Sequence, residues 1–423
     1  MRKSRRNFLK SVVLGSSLGY MPRYVKGKGN RARVVVVGGG FAGATAAKYI
    51  RMWDPSIEVT LVEKNKTFVS CPMSNRVISG VWDLNRITKN YSNLSEKYGI
   101  ELCFDEALDV DSVKRELVLS DGKTKLGYDR LILAPGVEFA YPEFSGVSES
   151  EIQKVIPHAW RAGPQTLLLR RQIKAMKDGG VVVISIPLAP YRCPPGPYER
   201  ACQIAYYLKQ DKPKSKVIIL DANENIQSKK KLFKKAWDVM YEGMIEYVPM
   251  AGVVDIDLPN MTVKLDFEDV RADVVNFIPP QEAGFLARKI GLTPKKGKWC
   301  DVNFLTYESN LVPNVHVIGD AITASPKMPK SGHMANQHAK VCAAAICATL
   351  NGYNVNSKPM LTNTCYSFLD HRNVIHVSAV YAYDPLKNSM AIIEGASGIS
   401  EANTLEAVYA EGWAENIWAD TLA

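Results

Sequence analysis

Cys193 lies in the segment Arg192-Cys193-Pro194-Pro195-Gly196-Pro197-Tyr198-Glu199, and four of the ten residues from Pro190 to Glu199 are proline. Proline fixes φ and removes a backbone donor, so such a loop is stiff and presents a side chain at a set angle. A thiol held this way suits thiol–disulfide redox chemistry. A second cysteine, Cys365 in Asn363-Thr364-Cys365-Tyr366, stands in the other half of the chain. Glu199 opens a helical stretch, Arg200 to Leu208. It is either a proton acceptor for a sulfur nucleophile or a solvated glutamate favoured by the helix dipole. Cys103, Cys202, Cys300, Cys342 and Cys347 have no metal-ligand spacing, so no metal site is expected. Cys342 and Cys347 fall on a helical pattern and read as core.

The elements around these residues read as α/β. Four valines, Val34 to Val37, lead into Gly38-Gly39-Gly40-Phe41-Ala42-Gly43 and an Ala-rich helical stretch from Ala44 to Arg51. Strand, glycine turn and helix N-terminus come in the order a dinucleotide pyrophosphate needs. Gly38 permits the turn, Gly40 lets backbone approach phosphate, and Gly43 lets the helix pack on the strand. A second strand, Glu58 to Val62, ends in Glu63, where a carboxylate can accept from ribose hydroxyls. The alternative is a glycine turn that binds nothing.

Tyr128-Asp129-Arg130-Leu131-Ile132-Leu133-Ala134-Pro135-Gly136 resembles the segment closing the first half of the flavin domain in the glutathione-reductase-like superfamily. Val315-His316-Val317-Ile318-Gly319-Asp320-Ala321 is similar to that superfamily's second flavin motif, which implies FAD with Asp320 on the ribityl chain. His316, among apolar neighbours, reads as packing. A nicotinamide-binding middle domain would carry its own glycine fingerprint, but Ser185-Ile186-Pro187-Leu188-Ala189-Pro190 contains no glycine. With the strand Val217 to Asp221 following, a Rossmann-like layout without a nicotinamide site is expected.

Cys193-Pro194-Pro195-Gly196-Pro197-Tyr198-Glu199-Arg200, Met328-Pro329-Lys330-Ser331-Gly332 and Trp299-Cys300-Asp301-Val302 resemble the flavoprotein subunit of flavocytochrome c sulfide dehydrogenase. The similarity runs from about Arg31 to the C-terminus. The resemblance implies FAD joined through a thioether at Cys71, in Phe68-Val69-Ser70-Cys71-Pro72-Met73. Pro72 departs from an aromatic residue in the family pattern, and the plain reading of Cys71 is a small buried hydrophobe. The resemblance also implies a Cys193–Cys365 disulfide that oxidises sulfide, with Cys365 on the flavin side and a c-type cytochrome subunit as partner. A merely structural bridge is the competing view. Lys330, with Ser331 and Gly332 opening a helix, is expected to hold negative charge on a reduced flavin.

The fold class expected is two Rossmann-like dinucleotide-binding domains, the FAD domain discontinuous, plus a C-terminal α+β interface domain. The boundaries are a signal segment at 1–30, FAD domain at 31–145 and 283–358, middle domain at 146–282 and interface domain at 359–423. Trp413 and Trp418 line the flavin, face the partner or pack in the core.

The net charge of +10 invites a nucleic-acid role, but eight basic residues fall in the first thirty with no Asp or Glu, and removing them leaves +2. Ser4-Arg5-Arg6-Asn7-Phe8-Leu9-Lys10 before the short apolar Val12-Val13-Leu14-Gly15 resembles a twin-arginine export signal, the alternative being a basic tail. A periplasmic location is expected, where disulfides persist. No Cys-x-x-Cys-His occurs, so covalent haem is not expected in this chain. Two rivals stand beside the sulfide dehydrogenase. One is a sulfide:quinone oxidoreductase, disfavoured because a C-terminus with Glu401, Glu406, Glu411, Glu415 and Asp420 offers no apolar or basic membrane face. The other is a non-catalytic flavoprotein that activates another sulfur-oxidation protein.

Overall fold

The computed structural model describes residues 31–423, and the twin-arginine motif lies outside the described residues. The valine run forms the strand Arg33–Val37, buried from its second residue on. Consecutive β-branched residues without polar alternation need cover on both faces, as inside a parallel sheet. They find it as the middle of five parallel strands in the order Val315–Val317, Arg130–Leu133, Arg33–Val37, Glu58–Val62, Glu101–Cys103. One edge strand comes from far later in the chain, so the first unit is discontinuous. His316 packs there as expected, 3% exposed, with Nδ1 against the Thr306 carbonyl at 2.9 Å.

Gly38 has φ 98° and donates its N–H to the Val62 carbonyl at 2.8 Å. Gly43 sits so close to this turn that a β-carbon there would lie 1.9 Å from the Gly38 carbonyl oxygen. The turn, the helix Phe41–Trp53 and the strand therefore interlock, and glycine is required at both positions.

A second parallel sheet runs Ile245–Pro249, Lys216–Asp221, Val181–Ile186, Val274–Phe277. The chain passes to and from it through an antiparallel pair, Val137–Phe139 with Gln281–Ala283. The loops after Val181–Ile186 and Lys216–Asp221 are bonded to each other and to neighbouring side chains. Asn223 accepts from the Ala189 N–H at 3.0 Å and donates to the Pro187 carbonyl at 2.9 Å, while Asp221 accepts from the Tyr198 hydroxyl at 2.7 Å and from the Tyr247 hydroxyl at 3.1 Å.

The helix after Val181–Ile186 is Gly196–Asp211, longer at its start than the sequence pattern indicates. Pro197 does not prevent this, because first-turn N–H groups have no intrahelical partner to lose. The proline-rich loop is thus short, and Cys193 stands just before a helix N-terminus.

The C-terminal part is an antiparallel sheet, Met360–Phe368, Val374–Asp384 and Ser389–Ile399, followed by the helix Leu405–Leu422. Its Ala410, Ala414, Ile417, Trp418 and Leu422 join the same buried core as the valine strand. Its acidic residues face basic partners on the first unit: Glu411 pairs with Arg76 and Arg86, Glu415 with Lys89 and Asp420 with Lys340. The helix also carries an exposed apolar group, Leu405, Val408 and Tyr409, which corrects the expectation of a C-terminus without apolar surface. Among the described residues no helix is long and apolar enough to cross a membrane.

Candidate active site

A cavity of about 820 Å³ gathers Cys193 and Glu199 from the proline loop and its helix, Cys365 from the strand Met360–Phe368, and Cys71 from the loop after Phe68–Val69. Ser331 and Gly332 open onto it from the start of the helix Gly332–Leu350, and Trp413 from the last helix. A second cavity of about 820 Å³ shares Cys71, Arg192 and Gly332 and runs along Gly40, Glu63, Gly136, Gly319 and Asp320. A third, about 1160 Å³, lies against Cys365 and the loop Lys327 to Lys330.

Cys193 is held at φ 58°, its N–H donating to the Lys330 carbonyl and its own carbonyl accepting from Gly196, both at 2.8 Å. A non-glycine residue in the left-handed region costs about 1–3 kcal/mol, sustained only where the surroundings enforce it. Burial pushes the thiols of Cys193 and Cys365 above the usual cysteine range. At Cys193 the neighbouring Cys365 and Glu199 add to this, with Arg192 and Lys229 opposing. At Cys365 Lys229 and a hydrogen bond from Asn363 oppose it, with Glu199 adding. All eight cysteines are free thiols in the structure, so it juxtaposes the pair without joining them.

Glu199 is not a solvated helix-end residue. Its carboxylate accepts from the Phe368 N–H at 3.0 Å and from Asn75 Nδ2 at 3.1 Å. Burial raises its pKa against those two bonds and the nearby Lys229 and Arg76. A carboxylate so placed is a stronger base than a free one, and it stops accepting protons as pH falls through that raised value.

The family model described as sulfide dehydrogenase [flavocytochrome c] flavoprotein chain, central, matches residues 166–279. A second, flavocytochrome c sulphide dehydrogenase, flavin-binding, matches 357–422, and pyridine nucleotide-disulphide oxidoreductase matches 32–174. The sulfide dehydrogenase [flavocytochrome c] flavoprotein chain of Chlorobaculum thiosulfatiphilum is 69% identical over 45 residues, covering 94% of that relative and 11% of this chain. This chain belongs to the flavocytochrome c sulfide dehydrogenase flavoprotein family. The sulfide-quinone reductase of Aquifex aeolicus is 23% identical over 357 residues, 78% of this chain and 80% of that one. A solved sulfide:quinone oxidoreductase from Aquifex aeolicus superposes with a TM-score of 0.72 at 19% identity, over 92% of this chain and 91% of that one, so the fold is shared.

As a member of that family the chain is an FAD-binding oxidoreductase, and the second cavity fits the cofactor. Gly40 caps the helix Phe41–Trp53 without a side-chain bond, and a β-carbon at Gly40 or Gly136 would meet nothing within 4 Å. Bare backbone there faces open space at a helix N-terminus, the arrangement a pyrophosphate takes. Glu63 accepts from the Gly39 N–H at 2.7 Å, and Asp320 lines the same space. Ser331 caps its helix by accepting from the Met334 N–H at 3.0 Å. Gly38, Gly43 and Pro135 shape the surrounding turns, Pro135 packing under Gly284. Lys330, expected to hold negative charge on a reduced flavin, is buried and is not among the residues lining the second cavity. Its ammonium donates to the Asp320 and Ile322 carbonyls and lies 3.6 Å over the Trp299 ring, because those buried acceptors capture it.

Gly43→Ala should therefore lower stability by about 3 kcal/mol, a fall in thermal midpoint of about 4 °C for a chain of this length. Gly40→Ala should leave the apoprotein's midpoint near normal yet weaken FAD retention, both read by calorimetry and flavin content.

Three residues of the site have roles that their place in the sequence does not announce. Arg200, 1% exposed, donates to Asn75 and Asn276 and to the His158 and Ala159 carbonyls, and so locks the helix bearing Glu199 to the helix Ser74–Ser79 that follows Cys71. Arg192 is fixed by the Trp160 carbonyl and lines both cofactor cavities. Lys229 belongs to a lysine run that reads as solvated surface.

Proposed function

We propose that the chain oxidises sulfide through Cys193 and Cys365, with FAD held covalently at Cys71, and passes the electrons to a c-type cytochrome. The observation that carries this reading is the convergence of Cys193, Cys365, Glu199 and Cys71 on one cavity continuous in its lining with the dinucleotide cavity. FAD, when bound, supplies the two-electron acceptor. In the oxidised pair, hydrosulfide attacks one sulfur, a persulfide bond forms, the Cys193–Cys365 bond breaks, and the second cysteine leaves as thiolate. Glu199 takes the proton released when hydrogen sulfide is the incoming form, its carboxylate aimed by Asn75 and the Phe368 N–H.

The cytochrome partner is supported by the name of the Chlorobaculum relative. Trp413 lines the site from a helix whose outer side bears the exposed Leu405, Val408 and Tyr409, and we assign the docking face there. The twin-arginine motif places the complex in the periplasm in this reading.

The test is to add sulfide, then separately NADH, to the anaerobic protein. Sulfide should bleach the flavin and reduce added cytochrome c. Millimolar NADH should do neither, because Asn223 and Asp221 are engaged where a nicotinamide nucleotide would bind. Rapid bleaching by NADH would overturn the reading of the middle sheet, and inertness to sulfide would overturn the function.

A further inference from the structure

Lys229 differs from its neighbours Lys230 and Lys231, which are exposed. It takes φ 56° before the helix Lys230–Met240, is 7% exposed, and turns inward. Its Nζ donates to the carbonyl of Cys365 at 2.8 Å and to the Ser367 hydroxyl at 2.7 Å. On the same strand Asn363 Nδ2 donates to Cys365 Sγ at 3.2 Å. That amide is oriented by Ser331, whose hydroxyl accepts from Met334 and so donates to Asn363 Oδ1 at 2.7 Å. Cys193 is fixed through its backbone, and among the described residues no hydrogen bond reaches its sulfur.

We propose that Lys229 and Asn363 polarise the cysteine pair, making Cys365 the better thiolate of the two, so that Cys365 is the leaving group when the bond is opened and Cys193 keeps the substrate sulfur. The proposal rests on the reading that this pair acts on hydrosulfide. Access does not decide between the two sulfurs, since Cys193 lines the first cavity and Cys365 lines the first and the third. In thiol–disulfide exchange the thiol of lower pKa leaves faster, so the neighbours of each sulfur choose. The charged and titratable groups around Cys365 are Lys229, Glu199, Cys193 and Tyr381, while Arg192, Lys229 and Glu199 face Cys193, so Lys229 reaches both sulfurs and the Asn363 amide adds its bond at Cys365. Burial lowers Lys229 to about 8 while Cys365, Glu199 and Cys193 support its charge, so the bias toward the Cys365 thiolate weakens as pH rises through that region. Lys229 acts through Cys365 and is a positioning residue.

The test is alkylation of the reduced, FAD-loaded protein by iodoacetamide across pH, with each cysteine followed by peptide mass spectrometry. Cys365 should show the lower midpoint. Lys229→Met should raise that midpoint by about one pH unit or more, a tenfold loss of thiolate at fixed pH, and Lys229→Arg should restore it. Asn363→Leu gives a second variant should Lys229→Met fold poorly, with a smaller shift in the same direction. A Cys365 midpoint unmoved in folded Lys229→Met, or equal movement of both cysteines, would overturn the proposal. Because alkylation needs no sulfide, its midpoints decide the polarity even in a protein that does not oxidise sulfide. One equivalent of hydrosulfide on the oxidised protein should then place the persulfide on Cys193, and finding it on Cys365 would contradict the assignment.

Discussion

Replacing Cys193 or Cys365 by serine is expected to lower sulfide-dependent cytochrome c reduction by roughly 10³-fold or more while FAD stays in the protein. Each substitution removes half of the electrophile that hydrosulfide attacks, and a hydroxyl cannot take its place in exchange. Groups that act as a unit are grossly non-additive, so the double variant should be no slower than either single one. The residues lining the second cavity lie on other segments, Gly40 and Glu63 on one side and Gly319 and Asp320 on the other, and neither Cys193 nor Cys365 is among them. A structural bridge makes a different forecast. Closing so long a loop stabilises by about 5 kcal/mol in the chain-entropy account, so the variants would unfold earlier yet turn over normally while folded. Steady-state rates measured below the variants' melting temperatures separate the two.

Cys71→Ser should move the flavin from the pellet to the supernatant after acid precipitation, a change from nearly all retained to nearly all released. Cys71 is shared by the first cavity, with the cysteine pair, and the second, with the dinucleotide turn. Its loop is stiffened where Ser70 donates to the Pro72 carbonyl at 2.9 Å and Met73 takes φ 71° ahead of the helix Ser74–Ser79. Pro72, the departure from the family pattern, thus belongs to a well-defined turn that leaves the thiol half-buried at the junction. Wild-type flavin found wholly in the supernatant would remove the covalent link and leave FAD binding standing.

Local chemistry was the legible part of this protein. Gly38 and Gly43 have roles set by backbone sterics and short spacing, and the structure needs glycine at both, whereas Gly40 faces open space and Glu63 accepts from the Gly39 N–H. The parallel sheets follow from unbroken apolar runs such as Val34 to Val37. What escaped depends on contacts between distant segments. Lys229 reads as one of three solvated lysines, because nothing in its neighbourhood announces a carbonyl on a strand 136 positions away. Lys330 has the expected sequence setting but finds nearer acceptors in Asp320 and Ile322. The acids of the last helix read as a surface facing water, whereas Glu411, Glu415 and Asp420 meet cations of the first unit. Trp413 and Trp418 are indistinguishable by type, and only packing separates the cavity residue from the core residue, 3% exposed.

Anaerobic stopped-flow mixing of the isolated chain with sulfide shows whether a cysteine pair beside FAD is the sulfide oxidant. The wild-type flavin should bleach within a single turnover, with a cysteine persulfide trapped by alkylation before bleaching is complete. Cys193→Ser and Cys365→Ser, folded and loaded with FAD, should stay oxidised on that timescale. Near-normal bleaching in either variant would contradict the account.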